Sequence, residues 1–128
     1  MIGRRIYSGS PFESMAGYAR AVVEGGLVHV SGTTGYDHDR KGFAPNVEEQ
    51  AETAFATVRE ALAEAGTSLE NMIRIRVYVA TRAEFDRIKP IIKAYCDSAR
   101  PANTTIICDL VAEEMRVEIE VTARVKSP

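Results

Sequence analysis

The sequence predicts a two-layer α+β domain, a six-stranded sheet with two helices on one face, and three observations point there. Arg116 to Val125 alternates polar and apolar residues, the period of a half-buried strand. Val47, Ala51, Ala54, Phe55, Val58, Leu62 and Ala65 recur at helical spacing, with Glu48, Glu52, Arg59, Glu60 and Glu64 on other faces. Strand-like segments outnumber helix-like ones three to one, and two amphipathic helices are too few to cover both faces of so wide a sheet.

The elements follow in order. Arg4 to Ser8 reads as a short strand that Gly9-Ser10-Pro11 ends, and Pro11 to Gly17 reads as a loop. In Tyr18 to Glu24, Ala19, Ala21 and Val23 face one way and Tyr18, Arg20 and Val22 the other. Gly25-Gly26 forms a two-residue hairpin turn, because glycine supplies positive φ without steric penalty. Leu27 to Ser31 is the return strand, and Gly32 to Pro45 a long polar loop. Asn46 caps the first helix, whose opening glutamates suit the dipole, and Gly66 ends it. In the strand Asn71 to Ala80, the residues Ile73, Ile75, Val77 and Val79 point inward while Arg74, Arg76 and Tyr78 point away. Thr81-Arg82-Ala83-Glu84 has the form of a capping box, and Phe85, Ile88, Ile92 and Tyr95 continue a helix in which Pro90 should introduce a kink or a restart. Pro101 stops this segment; Thr104 to Leu110 and Arg116 to Val125 are the last two strands, joined by a turn at Val111 to Glu114.

Composition narrows the function classes. The 128 residues suit a single domain, residues 1–128, with a core that needs no staples. A net charge of −2 provides no electrostatic footprint for nucleic acid or an anionic membrane surface. No apolar run reaches the length of a membrane span, and no secretory signal opens the chain. Cys96 and Cys108 lack metal-site spacing and read as buried thiols in a reducing cytoplasm. His38 lies between Asp37 and Asp39, but three neighbouring loop residues converge poorly on one ion, so no metal is expected. The second sheet face would carry Tyr18, Arg20, His29, Arg74, Arg76 and Glu120, among others, a mixture of charges suited either to solvent or to copies of itself in a homo-oligomer.

Several segments carry a resemblance in their order. They are the hairpin Ala19 to Gly32 ending Val-His-Val-Ser-Gly, the Glu-Ala-Gly at 64–66, Val77-Tyr78-Val79, Arg100-Pro101-Ala102 and Val117-Glu118-Ile119-Glu120. Together, over about residues 5–125, they resemble the RidA/YjgF family of reactive intermediate deaminases. The resemblance implies a chorismate-mutase-like fold and a homotrimer with clefts between neighbouring subunits. It also implies hydrolysis of small enamines and imines, such as 2-aminoacrylate, to a keto acid and ammonia, without cofactor or metal. In the family's motif a second arginine, following Arg-Pro-Ala, clamps the substrate carboxylate; here that position is Asn103. The family's glutamate falls on Glu118, and its asparagine on the second helix falls on Lys89. Tyr18, Ser31, Gly32 and Thr33 match cleft-lining segments, and Thr105 sits where a backbone amide contacts the ligand.

Each of these residues has a plainer role beside the functional one. Glu118 is either the carboxylate that takes a proton from water or one half of a salt bridge with Arg74, Arg76 or Arg124. Asn103 is a turn former or a polar anchor without charge. Lys89 is a solvated helix charge or a point-charge substitute for the arginine. Glu120 reads as structural, and His29 as an interface residue. Two functions follow: a deaminase of small imines or enamines with altered substrate preference, or a non-enzymatic trimer that binds a carboxylate ligand or a protein partner through the same clefts.

Overall fold

In the computed structural model, residues 3–125 are described. In chain order the elements are β1 (Arg4–Ile6), α1 (Pro11–Ala16), β2 (Ala21–Glu24), β3 (Leu27–Thr34), β4 (Tyr36–Asp37), β5 (Gly42–Phe43), α2 (Val47–Glu64), β6 (Met72–Val79), α3 (Arg82–Cys96), β7 (Ala102–Ile107) and β8 (Val117–Arg124). A single 3-10 turn, Leu69–Asn71, leads into β6. The main sheet has six strands in the order β1-β2-β3-β8-β6-β7, and β4-β5 form a separate small hairpin. All pairs in the main sheet are antiparallel except β6-β7, whose parallel connection runs through α3. The last strand in sequence, β8, therefore lies in the middle of the sheet, between β3 and β6.

Helices α2 and α3 cover one face. Phe55, Val58 and Leu62 of α2 and Ile88 and Ile92 of α3 share one core with Val28, Val30, Ile75, Val77, Ile119 and Val121. The period of two along β8 alternates buried Val117, Ile119, Val121 and Ala123 with half-buried Glu118, Glu120 and Thr122. Phe55 stacks on Tyr95 at 4.3 Å between ring centroids and fastens the two helices together. The Asn46 side chain accepts from the Glu49 N–H at 2.8 Å, as an N-cap does. At the other end Gly66 has φ +87°; its N–H reaches the Ala63 carbonyl and that of Thr67 the Leu62 carbonyl, which closes a Schellman motif. Gly25 and Gly26, at φ 58° and 80°, make the hairpin turn between β2 and β3.

Several expectations from the sequence need correction. Pro11 to Gly17 is not a loop: Ser10 accepts from the Phe12 N–H, Pro11 occupies the first turn, and left-handed Gly17 ends α1. Gly32 to Pro45 is not one open loop, since β3 continues to Thr34 and β4-β5 occupy its middle. Ile73 does not face the core; a register shift between Met72 and Arg74 against β8 buries Met72 and leaves Ile73 43% exposed. Arg20 is not an open charge on the sheet face but is 4% exposed, paired with Glu13 of α1. The segment around Pro90 stays one helix throughout. Cys96 and Cys108 are free thiols, half-buried where full burial was expected.

Candidate functional site

The middle of the sheet and α1 frame a cavity of about 720 Å³. Its polar wall is built where β3 meets β8. Val30 pairs with Val121, but the next pair is Thr33 with Ile119, so Ser31 and Gly32 bulge out of the ladder. The bulge brings backbone against the Glu118 side chain. A Cβ on Gly32 would lie 2.0 Å from Glu118 Oε2, so only glycine lets the carboxylate rest there.

Glu118 differs from the other acids around it. Among the described residues, no hydrogen bond or ion pair engages its carboxylate. Burial pushes its pKa above the ordinary carboxylate value; the Arg20 guanidinium opposes that rise and neighbouring Glu120 adds to it. Glu120 is held instead by Arg76, at 2.8 Å, and by the Tyr78 hydroxyl, at 3.0 Å. The salt bridge foreseen as the plain role of Glu118 is thus made by its neighbour.

A buried ion pair supports the bulge. Arg20 Nε donates to Glu13 at 3.0 Å, and the two side chains are 5% and 4% exposed. The other guanidinium nitrogens donate to the Gly32 carbonyl at 2.7 Å, Thr33 Oγ1 at 3.1 Å and the Tyr18 hydroxyl at 3.4 Å. Glu13 also accepts from the Ser8 N–H and hydroxyl, which closes the network. Ser31 donates to the Ala19 carbonyl at 2.7 Å. Gln50, inside α2, ties the opposite rim: its amide donates to the carbonyls of Ala44 and Glu114 and accepts from the Arg116 N–H. The sequence reading missed Glu13 and did not foresee that Arg20 is buried. The Ser10-Pro11 start and the Gly17 stop of a short helix were the available signals.

The structure brings together Tyr18, Ser31, Gly32, Thr33 and Glu118, which all line this cavity. It does not bring Asn103, Thr105 or Lys89 to it within one chain. Asn103 pairs with Ile75, and Ile75 with Val121. That puts Asn103 two strands and three residues from Glu118, roughly 14 Å at ordinary sheet spacings. It also puts them on opposite faces, since Ile75 belongs to the helix-covered side. Asn103 lines a second hollow of about 330 Å³ with Ile92, Cys96 and Arg100, and its side-chain Oδ1 accepts from Thr105 Oγ1 at 2.9 Å. Both residues stand on β7, an edge of the sheet. Lys89 pairs with Asp86 at 2.9 Å and lies over the Phe85 ring.

No cluster of potential metal ligands exists among the described residues. Asp37 Oδ1 accepts from the backbone N–H groups of Asp39 and Arg40 and shapes the turn of the small hairpin. Nor is any helix of the described residues long and apolar enough to cross a membrane.

Comparison with known proteins agrees with this architecture. Residues 9–125 match the family model described as Endoribonuclease L-PSP. An uncharacterised protein of Streptomyces coelicolor is 38% identical over 121 residues, covering 94% of this chain and 90% of its own length. A 2-iminobutanoate/2-iminopropanoate deaminase of Capra hircus is 30% identical over 122 residues, covering 94% and 89%. The crystal structure of a YjgF-family member from Mycobacterium tuberculosis superposes with a TM-score of 0.84 at 32% identity, over 95% of this chain and 98% of that one. With its central β8, its two helices on one face and a match over nearly its whole length, the chain belongs to the YjgF/RidA family.

Proposed function

We propose that this protein hydrolyses reactive imines or enamines of small metabolites, with Glu118 as the acid–base residue, in clefts of a homotrimer. The observation that carries the reading is Glu118 itself: a carboxylate with a raised pKa and no partner among the described residues, resting against a glycine bulge in a cavity. Membership of a family with 2-iminobutanoate/2-iminopropanoate deaminases as relatives supports the reaction class. In this reading water adds to the C=N carbon while Glu118 takes its proton. From an iminium substrate the resulting carbinolamine is neutral; its nitrogen then receives that proton, and ammonia leaves as the hydroxyl proton passes to Glu118 and on to solvent, leaving the keto acid. An imine is already electrophilic, so a positioned water and one proton carrier suffice, with no cofactor or metal in the scheme.

Asn103 and Thr105 enter through a neighbouring copy. They stand on an edge strand and face away from their own chain's Glu118, so a second subunit is the way for them to reach a cavity. Lys89, exposed on α3 and paired with Asp86, would likewise need a neighbouring copy to meet a cleft. Asn103 offers an amide donor but no charge, which weakens the hold on a carboxylate by about 1.5–3 kcal/mol, tenfold or more in affinity. Substrate preference is therefore shifted away from 2-aminoacrylate. The setting is a reducing cytoplasm, where both thiols stay free.

The test is hydrolysis of imines generated in solution by an amino-acid oxidase, read as suppression of semicarbazone formation. Glu118→Gln abolishes the activity, and Asn103→Arg raises turnover of 2-aminoacrylate. Undiminished hydrolysis by Glu118→Gln would sink the assignment. A second reading, a trimeric binding module without hydrolytic activity, draws on one observation: the guanidinium in the cavity wall, Arg20, is already committed to Glu13. It prevails if keto acids bind in the cavity while no imine is turned over. The description Endoribonuclease L-PSP raises RNA as a substrate, but a net charge of −2 offers a phosphate backbone no general attraction.

A further inference from the structure

The cavity is lined by two unlike groups of residues. Glu118, Ser31, Tyr18 and the Arg20 network form the polar one. The same cavity is also lined by Phe12, Met15, Tyr36, His38, Val111 and Met115, drawn from α1, the β4-β5 hairpin and the turn before β8. Tyr36 organises this wall. Phe12 meets it edge-on at 5.6 Å and His38 at 5.2 Å, and Phe43 braces it from the hairpin at 5.8 Å. Such packing leaves ring edges and faces fixed in place, and the two thioethers add surface that adapts to shape.

Two features make the wall a binding surface as well as packing. Met15 and Val111 are 78% and 92% exposed, and both line this same cavity. Exposed large apolar side chains gathered at one concave site mark a place where apolar surface is to be covered. The volume is the second feature. Cavities of about 300–1,000 Å³ hold ligands of drug size, so 720 Å³ far exceeds the need of a three-carbon imino acid of about six heavy atoms.

We infer that the Phe12–Tyr36 wall is a side-chain subsite, and that the substrate carries a bulky apolar group, of which a phenyl ring is the best match. This rests on the imine-hydrolase reading for the chemistry at Glu118. The α-imino group lies toward Glu118 and the ring lies between α1 and the β4-β5 hairpin. A planar ring finds edge-to-face partners there that a methyl or ethyl group does not reach. Specificity then resides in α1 and the small hairpin, segments separate from the sheet that holds Glu118.

Binding of the keto-acid products separates this inference from the reaction itself. Phenylpyruvate and pyruvate are titrated into the full-length protein by calorimetry. Phenylpyruvate is expected to bind about tenfold or more tightly, as burial of a ring in an apolar pocket provides. Phe12→Ala and the exposed Met15→Ser each erode that preference about threefold or more while leaving pyruvate within about twofold. Equal affinities for the two keto acids overturn the inference, and a neighbouring copy seated on the wall would give that result. Equal weakening of both ligands by the variants, with an unchanged ratio, overturns it as well. In parallel, imines from phenylalanine and alanine are offered to the wild-type protein. Turnover of neither, together with preferential phenylpyruvate binding, removes the hydrolase reading and keeps the subsite. Faster turnover of the alanine-derived imine keeps the hydrolase and removes the subsite.

Discussion

Two glutamates stand two residues apart on β8 and face the same way, yet the fold treats them oppositely. Glu120 lies across from Arg76 and exchanges its charge with that guanidinium and the Tyr78 hydroxyl. Glu118 lies across from Tyr78 on one side and Thr34 on the other, with no cation opposite it. The sequence around the two is nearly the same, Val-Glu-Ile-Glu-Val. What separates them is the neighbouring strand: a bulge at Ser31-Gly32 covers Glu118 with backbone, while Glu120 keeps a cation in reach. A carboxylate whose charge is satisfied is a structural part. One that is partly desolvated, with no partner among the described residues, is the candidate proton carrier of the proposed reaction.

Removing each carboxylate should therefore give different results. Glu118→Gln is expected to lower hydrolysis by about 10²–10⁴-fold, the usual contribution of a positioned acid–base group, as measured by single-turnover imine consumption. Glu120→Gln is expected to keep turnover within about threefold, because its charge only closes a pair that is 42% and 36% exposed and worth about 0–1 kcal/mol. Equal losses in the two variants would erase the distinction.

The scaffold under the distinction comes next in size. Glu13→Gln leaves the Arg20 guanidinium buried without its counter-ion, which destabilises by about 3–5 kcal/mol in urea titration. Replacing Arg20 and Glu13 together by apolar residues of similar volume should recover much of that stability while loosening Tyr18 and the bulge. Gly32→Ala acts the other way. Its methyl displaces the end of a flexible side chain, so the fold persists with little change in melting temperature while Glu118 is turned aside and turnover falls about tenfold or more.

The smallest effect is the pH dependence of stability. Burial raises the folded-state pKa of Glu118 above its value of 4.5 in the unfolded chain. A raised carboxyl pKa contributes stability below the unfolded value and loses it as pH climbs through the folded one. Glu118→Gln should therefore be slightly more stable than wild type at neutral pH, with the difference gone below about pH 4.5. Activity that depends on the ionised carboxylate rises over the same window. A wild-type protein more stable than the variant at neutral pH would mean that Glu118 has a partner after all.

The local patterns were legible. The β8 alternation, the α2 stripe with its Asn46 cap, the Gly25-Gly26 turn and the Thr81 cap depend on neighbours a few residues away, and each stands where the spacing placed it. The misses share a cause as well. Ile73 turned outward because of a bulge set by its pairing with β8, and Arg20 turned inward because α1 brought Glu13 over it. Neither follows from periodicity, because the partner lies on another element.

What the sequence determined by itself is the layer architecture and the family, since periodicity, caps and an ordered series of segments are written along the chain. Only the tertiary structure decided which of the two β8 glutamates has no partner among the described residues. It also showed that Asn103 and Thr105 lie on an edge strand and on the other face from Glu118, and that an aromatic cluster lines the same cavity as Glu118. Those outcomes turn on a strand bulge, a sheet order and a short helix, and each is fixed by contacts between residues far apart in the chain.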